Sequence, residues 1–506
     1  MNRLQTAETA ELRRREPRRS LWQAVARSVR DNVIAEFIVQ AVRVGGLVVL
    51  ARALSPEDFG VFRVLLVACA LVTLSNEAGV PDALIQRKEI TPAHETTTWW
   101  LSVLMALGTS AILYTAAPAI AAVMAMPRLC GGARLLCVPI LLEATAVAAN
   151  ARLRRNLNFS ALAAADVLAE LAFLAVALLV LWRGMPMWSL PGGLAARFAV
   201  HAIAIWAADR RLPRGLPTRQ AARDLARFAA TVWSGRLIYV LSSNADYLLV
   251  GRLLGSSALG FYGMAWDLLR FVPDRLHRVA GRVTFPAFCR LQDDREELAR
   301  AYLDFFAYMA RVVLPMAVCA AIAAPEILRT VYGPQWTPSA VPMRLLAAGL
   351  ALSGLRLGIG AVYYSKNRPS FDIYLHGARL GLLVIAVLGL AHWGLFGVSL
   401  GMSVVESAVS VAGQALACAL LGLSLRSLAR SAIPALRLTM FCALATLAGR
   451  TAAMLAGAGS ATVLIAAAAP PALVYLWLER SNAVDLVAKA FAPSSGAPVE
   501  APQAQT

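Results

Sequence analysis

Ionisable side chains inside long apolar stretches are the residues of this sequence best suited to bind a charged ligand. The richest stretch spans residues 260–288, where Asp267, Arg270, Asp274 and Arg278 follow one another at intervals of three and four residues. This spacing places them on one face of a helix. Because a guanidinium group grips phosphate oxygens at two points, Arg270 and Arg278 are predicted to bind an anionic, phosphate-bearing ligand, with the aspartates orienting them. The alternative is a self-paired charged face at the edge of the apolar layer.

Three more arginines, Arg43, Arg63 and Arg236, interrupt other apolar stretches. As a set they are predicted to contact the same ligand, because an anion in surroundings of low dielectric constant needs compensating cations. For each arginine alone, extension of the side chain to an aqueous interface is an equally good interpretation. So is pairing with Glu36 or Asp246.

Acidic side chains in the apolar stretches are candidate sites for a coupling proton or sodium ion, because burial favours the protonated form of an unpaired carboxylate. Asp166 and Glu170 share a helix face, being four residues apart. For these two, hydrogen bonding between helices is the alternative role. The ion-coupling candidates are Asp246, Asp267, Asp274, Glu77, Asp166 and Glu170.

No familiar enzyme motif is present. The sequence contains no GxxxxGK[ST], HExxH or GxSxG pattern, so no phosphate-binding loop, zinc site or nucleophile elbow is expected. His201 and His277 have no companions at metal-ligand spacing. The seven cysteines form no CxxC pair and mostly lie in apolar stretches, where they are predicted to be small packing residues. We therefore expect no catalytic residue, no cofactor and no metal.

The composition identifies the elements that must position these residues. With 506 residues, 59% apolar and 15% charged, the chain is too apolar for a soluble globular protein. Segments that span a membrane on their own are helices, so the prediction is an all-α polytopic membrane protein. The net charge of +18 comes mainly from arginine. We expect no nucleic-acid partner, because the basic residues lie between apolar segments, where they orient a membrane protein.

Windows of about 20 apolar residues predict about fourteen transmembrane helices. The fourth and eighth are the weakest because they contain charged residues. The windows lie near 32–51, 61–82, 98–124, 134–151, 160–182, 190–208, 228–251, 260–288, 303–331, 341–364, 373–392, 396–422, 438–457 and 460–478.

Two features of the connections predict an orientation and a repeat. The connections that follow even-numbered windows contain clusters of Arg and Lys, whereas the odd connections contain few, so both termini are predicted to be cytoplasmic. Two hundred positions after residues 50–62, the segment 250–262 repeats an Arg, a Leu, a Gly and an aromatic residue in step. Six windows in each half then give two parallel six-helix repeats around a central cavity.

The same map divides the chain into segments. The two six-helix halves are joined by a basic, proline-containing linker, and two additional helices follow the second half. The predicted segments are a cytosolic basic arm 1–30, the halves 31–208 and 228–422, the cytoplasmic linker 209–227, the two C-terminal helices 423–480 and a cytosolic tail 481–506.

Several motifs resemble those of one transporter family. LARALSPEDFG at 50–60 is similar to its first-loop signature, and ADYLLVGRLLGSSALGFY at 245–262 is similar to its junction between the seventh and eighth spans. Further similar segments are ALIQRKE at 83–89, FPAFCRLQDD at 285–294 and YGPQWTPSAVPMRLLA at 332–347. Over roughly residues 30–440 the chain therefore resembles the Wzx-type polysaccharide transporters of the multidrug/oligosaccharidyl-lipid/polysaccharide flippase superfamily. The arginine-rich arm has no counterpart in this resemblance.

The resemblance implies a function in lipopolysaccharide or exopolysaccharide biosynthesis. It implies a flippase that carries undecaprenyl-pyrophosphate-linked oligosaccharide units across the bacterial inner membrane, driven by an ion gradient, the membrane potential or the substrate gradient. The implied partners are the lipid-linked oligosaccharide and membrane lipids, with a polysaccharide polymerase and glycosyltransferases as candidates. An integral-membrane glycan polymerase or ligase is one alternative, but the odd connections are too short for a catalytic loop. A cation-coupled drug or metabolite exporter of the same superfamily is the other.

Overall fold

The computed structural model describes residues 34–77, 84 and 90–491. Within these residues the chain forms helices and no strand, which confirms the predicted all-α fold. Ten segments of the described chain are long and apolar enough to cross a membrane. A helix overlaps each of the fourteen predicted windows, but length and composition do not qualify all of them, so the number of crossings stays a prediction.

Each long helix overlaps a predicted window, although Arg295–Ile322 begins and ends before the window 303–331 and Ala340–Ser353 ends before the window 341–364 does. Several contain an internal proline, for example Pro118, Pro191 and Pro273, as is frequent in transmembrane helices. In chain order the helices are α1 (Ile34–Ala53), α2 (Pro56–Glu77), α3 (Pro92–Val123), α4 (Arg128–Arg155), α5 (Phe159–Trp182), α6 (Pro186–Ala208), α7 (Arg219–Leu254), α8 (Ser256–Arg290), α9 (Arg295–Ile322), α10 (Ala340–Ser353), α11 (Ser370–Leu390), α12 (Gly394–Leu421), α13 (Ile433–Leu455) and α14 (Ser460–Phe491).

The chain folds into two compact units. The first contains the described residues up to Leu268 together with Val331–Leu346 and Arg368–Val409. The second contains Leu269–Thr330, Ala347–Asn367 and the described residues from Ser410 onward. The predicted division into an N-terminal and a C-terminal half stays a prediction.

The turn between α1 and α2 has the capping interactions that its sequence predicts. The Asp58 amide donates to Ser55 Oγ over 3.2 Å, and the Ser55 amide donates to Asp58 Oδ2 over the same distance. Pro56 opens α2, and Glu57 and Asp58 lie in its first turn, where the helix dipole favours acids. The second copy of the turn uses another device: Gly255 adopts a φ of 86° after α7, a conformation that suits glycine.

The first turns of α2 and α8 cross at a pair of glycines related by the 200-residue offset. A Cβ on Gly60 would overlap the carbonyl oxygen of Ser256, and a Cβ on Gly260 would overlap the carbonyl oxygen of Pro56. Both glycines are buried. The two copies of the motif therefore contact each other reciprocally, and only glycine permits so close an approach of the two backbones.

The segment that follows α9 closes the end of α1. Trp336 is fully buried, and its indole Nε1 donates to the carbonyl oxygen of Ala51 over 2.7 Å. Gln335 Nε2 donates to the same oxygen over 2.8 Å. Phe59 and Phe261 pack edge-on against the Trp336 ring, at centroid distances of 5.1 and 6.2 Å. These contacts satisfy a carbonyl that the end of a helix leaves without an intrahelical partner.

Helices α4, α5 and α6 pack through small side chains. Their shared core includes Ala146, Ala149, Ala165 and Ala202, together with Ile205. Lipid tails are as apolar as leucine, so membrane helices gain more from close backbone approach than from apolar burial, and small residues permit that approach. The cysteines of the described chain are free, and four of the seven are buried, in keeping with the predicted packing role.

The start of the predicted linker is attached to α3 and α4. Arg152 Nε donates to Asp209 Oδ2 over 2.7 Å, and the Trp100 indole donates to the carbonyl oxygen of Gly215 over 3.2 Å. Burial acts to raise the pKa of Asp209, but hydrogen bonds from Arg152 and Arg211 outweigh it and hold this pKa below its usual range. Asp209 is thus a buried carboxylate that stays ionised.

The second unit is held together by buried polar contacts between helices. Tyr302 of α9 donates to the side-chain carbonyl of Gln414 in α12, and Gln414 Nε2 donates to the carbonyl oxygen of Leu355 over 2.8 Å. Arg450 Nε of α13 lies 2.9 Å from Glu326 Oε1. These pairs satisfy polar groups that would be costly to bury alone.

Candidate functional site

A cavity of about 300 Å³ lies in the first unit. Its walls come from α1, α2, α5, α6 and the first turns of α8, and most of the lining is apolar, including Leu47, Phe62, Phe173 and Leu190. The volume is at the lower end of the range for ligand pockets, about 300 to 1,000 Å³. A space of this size accommodates a small charged group rather than a large ligand.

One side of the cavity contains a carboxylate shared by two arginines. Glu170 of α5 is buried, with 5% of its surface exposed. Arg43 Nη2 of α1 lies 2.9 Å from Glu170 Oε2, and Arg197 Nε of α6 lies 3.6 Å from the same oxygen. The side chains of Arg43 and Arg197 are 46% and 42% exposed, so each keeps donors available to a ligand.

A second ion pair joins α2 to α8 in the same cavity. Arg63 donates to the carboxylate of Asp267, and its guanidinium lies 5.0 Å from the centre of the Tyr247 ring. Gly263 faces Arg63: a Cβ there would lie 3.2 Å from the arginine Nε. The glycine therefore leaves room for the guanidinium beside α8.

The charges that line the cavity do not cancel. Its ionisable lining residues are Arg43, Arg63, Arg197, Glu170 and Asp267, which leaves one excess positive charge. Within the lining this excess positive charge favours an anion, and outside the lining Asp166 acts electrostatically on Arg43 and Arg197. The arrangement suits an anion attached to an apolar group.

The structure brings together some of the predicted arginines and not others. Arg43 and Arg63 line the cavity, where they pair with Glu170 and Asp267. Glu36 also acts electrostatically on Arg43. The exposed Arg236 of α7 is not a lining residue.

The remaining two predicted arginines lie further along α8. Arg270 Nε is 3.5 Å from Asp274 Oδ1, one helical turn away in the second unit. Asp267, which precedes Arg270 by three residues, pairs with Arg63 of α2. The side chain of Arg278 lies outside the described residues. The roles of these arginines stay predictions.

The acidic candidates occupy separate places. Glu170 and Asp267 are the anionic partners in the cavity. Asp166 Oδ1 lies 3.6 Å from His201 Nε2. Asp274 pairs with Arg270, and the side chain of Glu77 lies outside the described residues.

Asp246 belongs to a buried polar network of its own. Its Oδ2 accepts a hydrogen bond from the Tyr262 hydroxyl over 2.9 Å. Arg379 of α11 pairs with Glu406 of α12 over 2.7 Å and also donates to the carbonyl oxygen of Ser242. Arg379 also lies within electrostatic reach of Asp246. Two buried carboxylates thus share one guanidinium in a network that joins α7, α8, α11 and α12.

Sequence reasoning missed Arg197, Arg379 and the surroundings of His201. Arg197 and Arg379 each lie inside a predicted apolar window. The criterion that identified Arg43, an arginine that interrupts an apolar stretch, would have found them. His201 lies one turn after Arg197 and has carboxylates on two other helices as neighbours. Within residues 34–77, 84 and 90–491, no group of His, Cys, Asp and Glu side chains has the geometry of a metal site.

Comparison with known proteins assigns the family. Residues 49–341 match the family described as polysaccharide biosynthesis protein. The chain is 25% identical to the lipopolysaccharide biosynthesis protein WzxC of Escherichia coli over 76% of this chain and 79% of that protein. It is 26% identical to the succinoglycan biosynthesis transport protein ExoT of Rhizobium meliloti over 64% of this chain and 65% of that protein.

A solved structure shares the fold. The lipid II flippase MurJ, in an inward closed conformation, superposes with a TM-score of 0.72 at 13% identity, covering 90% of this chain and 99% of that one. The apolar helices, together with these similarities, show that the protein is a multi-pass membrane protein. Since the family match extends over more than half of the sequence, the chain belongs to the polysaccharide biosynthesis protein family.

Proposed function

We propose that the protein is a flippase that moves undecaprenyl-pyrophosphate-linked oligosaccharide units across the bacterial inner membrane for surface polysaccharide synthesis. The observation that carries the proposal is the arginine-lined cavity, in which Arg43, Arg63 and Arg197 face a mostly apolar space. The names of WzxC and ExoT, which denote lipopolysaccharide biosynthesis and succinoglycan transport, support the substrate class. The transport and flippase names among the relatives favour a transporter over a membrane glycan polymerase or ligase.

The chemistry of the cavity fits a lipid pyrophosphate. A pyrophosphate diester has two negative charges and several acceptor oxygens, which match the paired donors of guanidinium groups. Glu170 and Asp267 hold the arginines in place. An entering pyrophosphate competes with these carboxylates, and the apolar walls accommodate the adjoining prenyl chain.

Transport then follows an alternating-access cycle, in which the cavity opens to one side of the membrane at a time. Asp246, Asp267, Asp274, Glu77, Asp166 and Glu170 are the proposed ion-coupling carboxylates. Both termini are proposed to be cytoplasmic. A polymerase and glycosyltransferases are the proposed protein partners, since they consume and supply a lipid-linked unit.

The test is transport by the purified full-length protein in liposomes, per inserted molecule, with an undecaprenyl-pyrophosphate-linked oligosaccharide as the probe. We expect Arg63→Ala to reduce transport by about thirtyfold or more, because loss of a desolvated charged contact costs about 2 to 5 kcal/mol and 1.4 kcal/mol is tenfold. Arg134→Ala is the matched control. Arg134 extends from α4 over the ring of Tyr114, outside the cavity lining, and its loss should leave transport near the wild-type rate.

A double variant separates substrate binding from charge balance. If Arg63 only neutralises Asp267, the double variant Arg63→Ala, Asp267→Ala should recover wild-type binding of the probe, a readout that does not depend on the proposed ion-coupling role of Asp267. If Arg63 contacts the pyrophosphate, the double variant should stay impaired. Recovery would overturn the assignment of Arg63, and no transport of the probe by the wild-type protein would overturn the proposed function.

A further inference from the structure

His201 of α6 lies between two carboxylates from two other helices. Its Nδ1 is 2.7 Å from Glu143 Oε1 of α4, and its Nε2 is 3.6 Å from Asp166 Oδ1 of α5. The His201 side chain is 17% exposed and that of Glu143 is 23% exposed. Glu143 Oε2 is buried and has no hydrogen-bond partner among the described residues. When this imidazole is protonated, each of its two ring N–H groups has a carboxylate nearby to accept a hydrogen bond.

The charges around His201 leave a deficit of one proton. Glu143, Asp166 and Glu170 contribute three negative charges on α4 and α5, and Arg43 and Arg197 contribute two positive charges on α1 and α6. With neutral His201 the set has a charge of −1, and with protonated His201 it is neutral. A net charge in an apolar layer is costly, so proton uptake is favoured.

Two more charged groups face Asp166, with opposite signs. Glu36 of α1 and Arg154 of α4 are both within electrostatic reach of its carboxylate. Both are exposed, and their effects on Asp166 oppose each other. Because their charges cancel, the set still has a net charge of −1 while His201 is neutral.

The histidine cluster connects with the cavity through helical spacing. Arg197 precedes His201 by one turn on α6, and Asp166 precedes Glu170 by one turn on α5. Arg197 therefore has two anionic neighbours. Glu170 lines the cavity, and its Oε2 lies 3.6 Å from Arg197 Nε. Asp166 acts on Arg197 electrostatically. The attraction between Asp166 and Arg197 is therefore weaker when another cation neutralises Asp166.

We propose that His201, between Glu143 and Asp166, binds the proton whose uptake is coupled to anion binding in the arginine-lined cavity. The inference rests on the proposed function, since it names the coupling ion of that same transporter. While the imidazole is neutral, Asp166 draws on Arg197 as its compensating cation. Once His201 is protonated, the imidazolium satisfies Glu143 and Asp166, and Arg197 is available to Glu170 and to an anion in the cavity. By linkage, a bound anion in turn strengthens proton binding at His201.

The test measures binding of farnesyl pyrophosphate, a soluble prenyl pyrophosphate, to the purified full-length protein between pH 5.5 and 8. Coupling between two sites in proteins typically changes affinity by about 5- to 150-fold, so we expect wild-type affinity to rise about tenfold as the pH falls through the range where histidine titrates. His201→Gln should abolish most of this rise. His392→Gln, at an exposed histidine between α11 and α12, should retain the rise, whereas the pH dependence that remains in His201→Gln reports titration of the probe itself.

Proton uptake is the second readout. In weakly buffered solution, binding of farnesyl pyrophosphate to the wild-type protein should take up more protons than binding to His201→Gln. Asp166→Asn should also reduce the proton uptake. Because the Asp166 side chain is 65% exposed, this variant keeps the test valid if His201→Gln does not fold.

The outcomes separate the inference from the proposed function. Equal pH dependence and equal proton uptake in wild type, His201→Gln and Asp166→Asn would overturn the role of His201 while leaving the flippase intact. Sodium that replaces the effect of acid at constant pH would also overturn it, because the site would then bind a metal cation. If the wild-type protein does not bind the probe at any pH, the cavity itself is misassigned, and the proposed function is overturned with it.

Discussion

Arg270 offers a test at the scale of a single residue, because the structure bounds what its ion pair contributes to stability. Arg270 Nε lies 3.5 Å from Asp274 Oδ1, one helical turn away. The side chains of Arg270 and Asp274 are 30% and 50% exposed. Pairs of this kind contribute about 0.3 to 0.5 kcal/mol. Removing the pair should therefore change the amount of folded protein only slightly.

We expect Arg270→Ala to lose most polysaccharide export per inserted molecule, and Arg270→Lys to retain part of it. Lysine keeps the positive charge but lacks the planar fork that contacts two phosphate oxygens. Export and the amount of protein in the membrane are measured in the same cells. Asp274→Ala, for which only the amount of protein in the membrane is measured, is the control for the contribution of the ion pair to stability. Normal export per molecule in Arg270→Ala would remove Arg270 from the substrate contacts.

At the scale of elements, the crossing of α2 and α8 depends on two glycines. A methyl group on Gly60 would overlap the backbone of Ser256, and a methyl group on Gly260 would overlap the backbone of Pro56. A backbone carbonyl cannot move aside as a flexible side chain can. Overpacking at such a contact costs about 1 to 3 kcal/mol or more.

We expect Gly60→Ala and Gly260→Ala to reduce the amount of folded protein and to lower its unfolding temperature in detergent. Gly45→Ala in α1 is the matched control, because a Cβ at Gly45 would meet no atom within 4 Å. Alanine there should be neutral or slightly stabilising, since glycine is the weaker helix former by about 1 kcal/mol. If Gly60→Ala unfolds at the same temperature as Gly45→Ala, the close crossing does not contribute to stability.

At the scale of the whole molecule, the predicted orientation can be tested with single cysteines in a background in which the seven native cysteines are replaced. Leu216 lies in the linker, where it is 78% exposed, and Met185 lies between α5 and α6, where it is 46% exposed. The loop charges predict that residue 216 is cytoplasmic and residue 185 is periplasmic. A membrane-impermeant maleimide added to intact cells with a permeabilised outer membrane should label Met185→Cys and not Leu216→Cys. The reverse pattern would invert the topology, and labelling of both positions would remove at least one predicted crossing.

Much of this protein could be derived from its sequence, because membrane spans have a strong local signal. About 20 consecutive apolar residues are enough to predict a helix, and the structure has a helix at each predicted window. The cap at Ser55 and Asp58 was predictable for the same reason, since its atoms come from neighbouring residues. The apolar context likewise identified Arg43, Arg63 and Glu170 as unusual, because a charge at membrane depth needs a partner.

Which charge meets which partner was decided by the tertiary structure. Arg43 and Glu170 are 127 positions apart, and Arg63 and Asp267 are 204 apart, so local spacing contains no information about either pair. Local spacing pointed only to Arg270 as a neighbour of Asp267, whereas its partner Arg63 comes from another helix. It follows from the sequence alone that these charges lie among apolar helices. The packing of the helices determined that three arginines share one cavity and that His201 lies between two carboxylates, because side chains on different helices meet only where their faces are brought together.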